Sequence, residues 1–482
     1  MLVGQKTIHS RYDPLAEAER YVFSLNLRDD IQYIILAECG LCYLIQPLRK
    51  NFPAAKIISL HASAFYRGRS AAPPDAEWLP GSPLNRGVFL ENEIDDTEAD
   101  KIKIIEWRPA ADVYGEEYLN LVKDITAFVK RADANKRTRS AFGRRWVKNV
   151  IRNSFLLGGG GVGIAALTRS ASECVVAGAG PGLEDAFAAI RRLTGGGALL
   201  IAVSSAVGAL FHAGLKPDII VACDGGNWAL LHLFETVRLF HKKACSPAVG
   251  GPVLAFNLSA ALPSWCTAFK LLPWSDGTLF QNLAQKCLGL SPLYFPQRGT
   301  VGASAIDLAF YASSGAVYTA GIDFSHRDIR THAKPYAFDK ILYGKASRLS
   351  PLYDLQFERA ETIKGSGVFK IYADWFSGQN FRQKVRPVSE CDLGVKSVNG
   401  KGVDAAVFSC RRKSRKERPV TRLVAVLAKA LAAPATGGKL AEELSALLSG
   451  GNPSAGGLRE ELLRISGKYR AVEGQNGQTH IL

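Results

Sequence analysis

The segment TAGIDFSHRDIRTHAKPYAFD, residues 319–339, gathers unusual chemistry into one short stretch. An apolar run, AVYTAGI, breaks at Asp323 and Phe324 into His326, Arg327, Asp328, Arg330, His332, Lys334 and Tyr336. A core strand that ends on a carboxylate and empties into titratable side chains is placed to bind a polar ligand at its tip. A second stretch, ECVVAGAGPG, ends a strand in a glycine turn whose Gly178, Gly180, Pro181 and Gly182 let the backbone approach a phosphate. The dinucleotide fingerprint is incomplete there, and the next strand ends in Val203, Ser204 and Ser205 with no carboxylate for ribose hydroxyls, which argues against NAD. A third strand, IIVACDGG, ends on Asp224 and Gly225.

Other chemistries lack their residues. The acidic pairs Asp29–Asp30 and Asp95–Asp96 do not have the DxD spacing that holds a divalent cation against a diphosphate. GGGGVG (158–163) lacks the Lys and Ser or Thr of a phosphate loop and reads as a hinge. The lone CxxC, Cys39 with Cys42, has no second pair to complete a zinc site and reads as packing at a strand-to-helix turn.

The elements that position these residues alternate. ALLIAVSS, IIVACDGG, PVLAFN, FKLLPW and AVYTAGID read as buried strands, separated by helices such as LEDAFAAIRRLTGGG and VGASAIDLAFYASS. That order predicts an α/β fold with a doubly wound, Rossmann-like parallel sheet over 170–390. Ligands of such sheets lie beyond the carboxyl ends of the strands, where strand order reverses. Gly178–Gly182, Ser204, Asp224, Gly321 and Asp323 occupy those ends. Around this domain we place an N-terminal α/β domain (1–115), a helical connector with the glycine hinge (116–169), and a basic linker with C-terminal helices (391–482) that end in a frayed tail, GQNGQTHIL.

The 482 residues are 47% hydrophobic and 22% charged, which suits a folded globular chain. No run reaches the roughly 18–20 apolar residues of a membrane span, and MLVGQKTIHSRYDP lacks the regions of a signal peptide, so the expected location is cytoplasmic. Nine scattered cysteines fit a reducing compartment. Of the net charge of +16, RRKSRKERPVTR (411–422) supplies seven basic residues against Glu417 and reads as a solvated linker, so nucleic acid is not the expected partner. The remainder suits a cleft for an anionic small ligand.

RGTVGASAIDLAFYASSGAVYTAGIDF (298–324) and PYAFD (335–339) resemble the core of small bacterial sialyltransferases that use CMP-activated sialic acid. They resemble more closely the motility-associated factor (Maf) flagellin glycosyltransferases, which share a domain with an archaeal pterin pyrophosphokinase (MptE-like). HSRYDPLAEAERYV (9–22) is similar to the N-terminal signature of that group, and with GAGPG and KPDIIVACD the resemblance spans most of residues 9–380. It implies that Gly178, Gly180 and Pro181 form the nucleotide turn and that Asp224 is a contact at the third strand end. Arg298 and Thr300, with Gly302 beside them, would be donors near a phosphate or substrate carboxylate. Gly321, Asp323 and Phe324 would hold cytidine and ribose. Tyr336 would donate to the departing phosphate, and His332, or else His326, would be the general base. The sialyltransferase pattern has Asn at Ala179, Ser at Gly182, Ser at Val301 and Tyr at Ser325, so several of its donors are absent here.

The expectation is therefore a metal-independent glycosyltransferase that needs no cofactor beyond its donor substrate. It would move a nonulosonic, sialic-acid-like sugar from CMP to Ser or Thr of a protein such as flagellin. The alternatives are an MptE-like pterin pyrophosphokinase, which would require Mg²⁺ and ATP, and a degenerate, non-catalytic nucleotide-binding protein of flagellar assembly.

Overall fold

The computed structural model describes residues 2–3, 6–158, 164–167, 171–242, 251–365, 367, 369–370, 372–373, 376, 385–388, 408–411, 419–432, 434–448, 460 and 462–464. Most of the expected glycine hinge, residues 412–418 of the basic run, most of LREELLRISGKYRAVE (458–473) among the expected C-terminal helices, and the expected frayed tail lie outside the described residues. The chain divides into two compact units, Met1–Ala141 and Phe142–Leu482. The division falls inside one helix, Glu116–Gly158, and not at the glycine run.

In the first unit a short antiparallel pair, β1 (Leu2–Val3) and β2 (Lys6–Thr7), precedes a four-stranded sheet. Its strands are β3 (Tyr33–Ala37), β4 (Lys56–Leu60), β5 (Ala76–Trp78) and β6 (Ile102–Glu106), in the order β5-β4-β3-β6 and all parallel. YIILA and KIISL are buried almost throughout, as expected of strands covered on both faces.

Among the described residues, the second unit is built on nine strands: β7 (Ile164–Leu167), β8 (Cys174–Ala177), β9 (Leu199–Val203), β10 (Ile219–Ala222), β11 (Val253–Asn257), β12 (Lys270–Trp274), β13 (Val317–Ala320), β14 (Val385–Pro387) and β15 (Phe408–Arg411). Their order is β14-β13-β8-β9-β10-β11-β12-β7-β15, and every pairing is parallel except that of β15 with β7. CVVA, LLIAV, IIVA and VLAFN are buried at every residue, which is why they read as continuous apolar runs without alternation. The α/β Rossmann-like expectation holds. The sheet begins before residue 170, because Ile164 pairs with Leu271, and Arg411, assigned above to the basic run, ends an edge strand. Four-residue edge strands give too short a pattern to separate from a linker. At the opposite edge Pro387 ends β14, where a missing N–H costs no central ladder bond.

Candidate functional site

The strands β8 to β12 are laid down side by side in chain order, and β13 then returns to the other flank of β8. The order reverses between β8 and β13, so their carboxyl ends form the crevice where ligands of open α/β sheets bind. The register Thr319↔Val176 and Ala320↔Ala177 carries the chain directly from paired strands into Gly178 and Gly321. The two ends then touch backbone to backbone. Gly178 N donates to Ala320 O (2.8 Å) and Gly180 N donates to Gly321 O (2.7 Å). A Cβ on Gly178 would stand 2.3 Å from Gly321 O, and one on Gly180 would stand 2.4 Å from Asp323 Oδ2. Gly321 has φ +64, open to glycine, whereas Phe324 holds φ +47 despite its side chain.

Asp323 is tied to this turn: its Oδ2 accepts from Gly182 N at 2.6 Å. Gly182 precedes the helix Leu183–Gly195, so the carboxylate sits at a positive helix terminus. The segment after Asp323 folds back over the same helix. Arg330 Nη1 donates to Glu184 Oε2 (3.1 Å), Lys334 N to Glu184 Oε1 (2.9 Å), Ala333 N to Ala179 O (2.9 Å), and Arg327 pairs with Asp185. His326 is exposed.

His332 and Tyr336 come together in an aromatic stack. Their ring centroids are 4.0 Å apart with planes 12° from parallel, and Tyr336 continues onto Phe338 at 5.4 Å. His232 contacts Tyr336 and Phe338 at 5.2 and 5.0 Å, and the Arg359 guanidinium lies 5.1 Å from the Tyr336 ring. Burial, reinforced by the Arg359 charge, lowers His332 to about 3 and His232 to about 4. Burial also raises the Tyr336 phenol. At neutral pH both imidazoles are therefore uncharged and Tyr336 keeps its proton. Nδ1 of His332 lies 2.9 Å from Thr331 Oγ1.

Asp224 is exposed beyond β10, and its Oδ1 accepts from Gly226 N at 2.7 Å. It is linked to the β13 end by Tyr372, whose phenol is raised by burial and then by the Asp224 charge, and whose ring lies 6.3 Å from Phe324. Phe376 lies 5.5 Å from Phe324 on the same aromatic patch. Ser204 opens a short 3-10 turn at the end of β9, and Gly208 beyond it faces the Pro335 carbonyl.

Thr300 caps the helix Val301–Ala312, accepting from Ala303 N at 3.2 Å, and Gly302 faces Ile322. That helix terminus thus stands beside the β13 end. Arg298 is engaged elsewhere: it grips Asp307 in a two-toothed pair at 2.5 and 3.0 Å. Burial raises the Asp307 carboxyl, although Arg298 pulls against it. The site thus unites Gly178, Gly180, Pro181, Gly321, Asp323 and Phe324, brings Thr300 and Gly302 alongside, and leaves the Arg298 charge already paired.

Several residues were not anticipated. Asn149 Nδ2 donates to the carbonyls of Gly225 (3.1 Å) and Ser259 (2.9 Å), and Asn153 Nδ2 to those of Leu258 (2.9 Å) and Ala260 (2.8 Å). Both asparagines are buried and fix the turns that follow β10 and β11. Two asparagines four apart on an otherwise apolar helix face were the available signal. Beyond β12, Asp276 Oδ2 accepts from Gln281 Nε2 (2.9 Å) and Gln297 Nε2 (2.7 Å), and Gln281 also reaches Asn257. Nothing local in the sequence joins Asp276 to Gln297, or His232 and Arg359 to Tyr336.

Residues 162–328 match the family described as 6-hydroxymethylpterin diphosphokinase MptE-like. The matched span is about a third of the chain. It holds both halves of the crevice, Gly178–Gly182 and Gly321–Phe324, and ends before His332 and Tyr336. The chain is also similar to an uncharacterized protein of Treponema pallidum (strain Nichols), 29% identical over 318 residues. That match covers 64% of this chain and 64% of the relative's length. The solved structure of a MAf glycosyltransferase from Magnetospirillum magneticum AMB-1 aligns with 97% of this chain and 80% of its own, at 11% identity and a TM-score of 0.40. Among the described residues, no helix is long and apolar enough to cross a membrane.

Proposed function

We propose that the chain is a glycosyltransferase that takes its sugar from a nucleotide held in the β8–β13 crevice. The donor is a CMP-linked nonulosonic acid, and the acceptor is a Ser or Thr hydroxyl of a protein such as flagellin. One observation carries the reading: two strand ends at the switch point are packed so closely that only glycine fits, beside two helix N-termini. Asp323 and Phe324 take the nucleoside. The first N–H groups of Val301–Ala312 receive the phosphate, because the Arg298 charge is already engaged by Asp307. Tyr336, protonated at neutral pH, donates to the leaving phosphate.

His332 is uncharged and so able to accept the acceptor hydroxyl's proton, but a base lowered to about 3 is weak. An anionic donor arriving beside it raises that value, so the base is strengthened only when the donor is in place. A second reading, a pterin diphosphokinase, is favoured by the family description that residues 162–328 match.

Calorimetric titration of CMP and of ATP, each with and without Mg²⁺, separates the two. Metal-independent CMP binding that Asp323→Ala abolishes supports the first. Mg²⁺-dependent ATP binding without CMP binding overturns it in favour of the second.

A further inference from the structure

A second polar cluster lies in the first unit, at the carboxyl ends of β3 and β4. Glu38, Cys39, Cys42, Ser59 and His61 are all fully buried, in a setting where a polar group without partners is costly. The sulfurs of Cys39 and Cys42 are 3.2 Å apart. Cys42 Sγ lies 3.8 Å from His61 Nε2, and His61 Nδ1 lies 3.3 Å from Glu38 Oε1. Glu38 is itself held by the N–H groups of Gly40 (3.0 Å) and Ala62 (2.6 Å). Nε2 also meets Ser59 Oγ at 3.0 Å and Glu77 Oε1 at 3.3 Å, and the Tyr66 ring stacks on the imidazole at 4.9 Å.

The backbone that delivers these groups is strained. Glu38, Gly40 and Cys42 have φ of +47, +60 and +62, and two of the three carry side chains that disfavour that region. Gly40 cannot relax by gaining a side chain, since its Cβ would meet His9 Nε2 at 2.3 Å. A CxxC pair that served only for packing needs neither this conformation nor a buried carboxylate–imidazole couple within hydrogen-bonding reach of one of its sulfurs.

We propose that Cys39 and Cys42 form a dithiol–disulfide centre oxidised by hydrogen peroxide, with Cys42 as the attacking sulfur and Cys39 as the resolving one. The asymmetry is built in: the bond from Cys39 and the imidazole of His61 lower Cys42, while that same bond and burial raise Cys39. Burial opposes a charge on His61, but its bonds to Cys42 and Glu38 prevail and raise it. Cys42 thus rests as thiolate against imidazolium, the nucleophilic form of a cysteine. Complete burial of both sulfurs selects an oxidant scarcely larger than water.

The Cys42 thiolate attacks one peroxide oxygen, so the S–O bond forms as the O–O bond breaks. The departing hydroxide takes the His61 proton and leaves as water. Cys39 then attacks the Cys42 sulfenic sulfur, the S–S bond forms, and the S–O bond breaks with loss of a second water that carries the Cys39 proton. Two thiol equivalents are oxidised and one peroxide is reduced. The sulfurs must close by about 1 Å to reach the roughly 2.05 Å of a disulfide.

The full chain, treated with hydrogen peroxide while folded, quenched, then alkylated in denaturant and digested with trypsin, reports this directly. The peptide Asp29–Arg49 contains both cysteines and no other. It is expected to lose two hydrogens and escape alkylation before Cys174, Cys223, Cys266 and Cys287 react. Cys39→Ser is expected to stop at a sulfenic acid on Cys42, trapped by dimedone when the chain is unfolded after the peroxide is quenched. His61→Gln is expected to slow oxidation roughly tenfold near pH 7 and to make its rate climb with pH, because the thiolate must then form unaided. The proposal is overturned if that peptide stays doubly alkylated while the other cysteines oxidise, if it reacts only once the chain is unfolded in denaturant, or if His61→Gln keeps the wild-type rate and pH profile. Should His61→Gln not fold, the order of oxidation in the wild-type chain decides alone.

Discussion

Replacing Gly178 by Ala tests how tightly the crevice is built. The new Cβ would lie 2.3 Å from Gly321 O and 2.8 Å from Ile322 Cγ1. Backbone atoms cannot rotate away, so reaching an ordinary contact of about 3.4 Å requires the ends of β8 and β13 to part by about 1 Å. That displacement lengthens the neighbouring bond from Gly180 N to Gly321 O, now 2.7 Å, beyond hydrogen-bonding distance. Overpacking costs about 1–3 kcal/mol and the lost bond about 1 kcal/mol, a destabilisation of about 2–4 kcal/mol. In thermal unfolding followed by fluorescence, this should lower the Tm of the second unit by roughly 3–6 °C. Gly195→Ala is the control: Gly195 ends the helix Leu183–Gly195, a Cβ there would meet no atom within 4 Å, and the change should be neutral or slightly stabilising. Equal melting of the two variants would refute the close approach of β8 and β13.

Two further outcomes are expected. His332 and His232 have folded pKa values below the ordinary 6.5, so the unfolded chain binds more protons between about 6.5 and the folded values of about 3 and 4. Their contribution is present above pH 6.5 and is lost as pH falls, by about 2 kcal/mol for His332 at about pH 5. Acid titration of the imidazole proton resonances checks this, and a His332 resonance titrating near its ordinary value of 6.5 would contradict it. Asn153→Ala leaves the carbonyls of Leu258 and Ala260 without their buried donor and should cost about 2–4 kcal/mol in denaturant unfolding, whereas a change below about 0.5 kcal/mol would show that water or a neighbour replaces it.

The parts of the site that lie on strand ends were legible because a parallel sheet puts every such end on one rim. Gly178, Asp224 and Asp323 follow from that rule and the apolar runs alone. Arg298 was not legible: its partner Asp307 lies two turns into the next helix, and only packing decides that the guanidinium meets it. The burial of His332 is not visible in the sequence, because His232 and Arg359, which pack on its stacking partner Tyr336, lie far from it in the chain. The Cys39–Cys42 pair reads as packing, since nothing near it in the chain shows that β4 carries His61 to Cys42 and that Glu38 backs it.

Hydrogen–deuterium exchange with and without saturating CMP tests the nucleotide crevice most directly. Binding there predicts slowed exchange in peptides covering 178–183, 301–303 and 321–336, with the amides of the first unit unchanged. Protection confined to the first unit, or bound CMP that leaves all three segments exchanging as before, would contradict it.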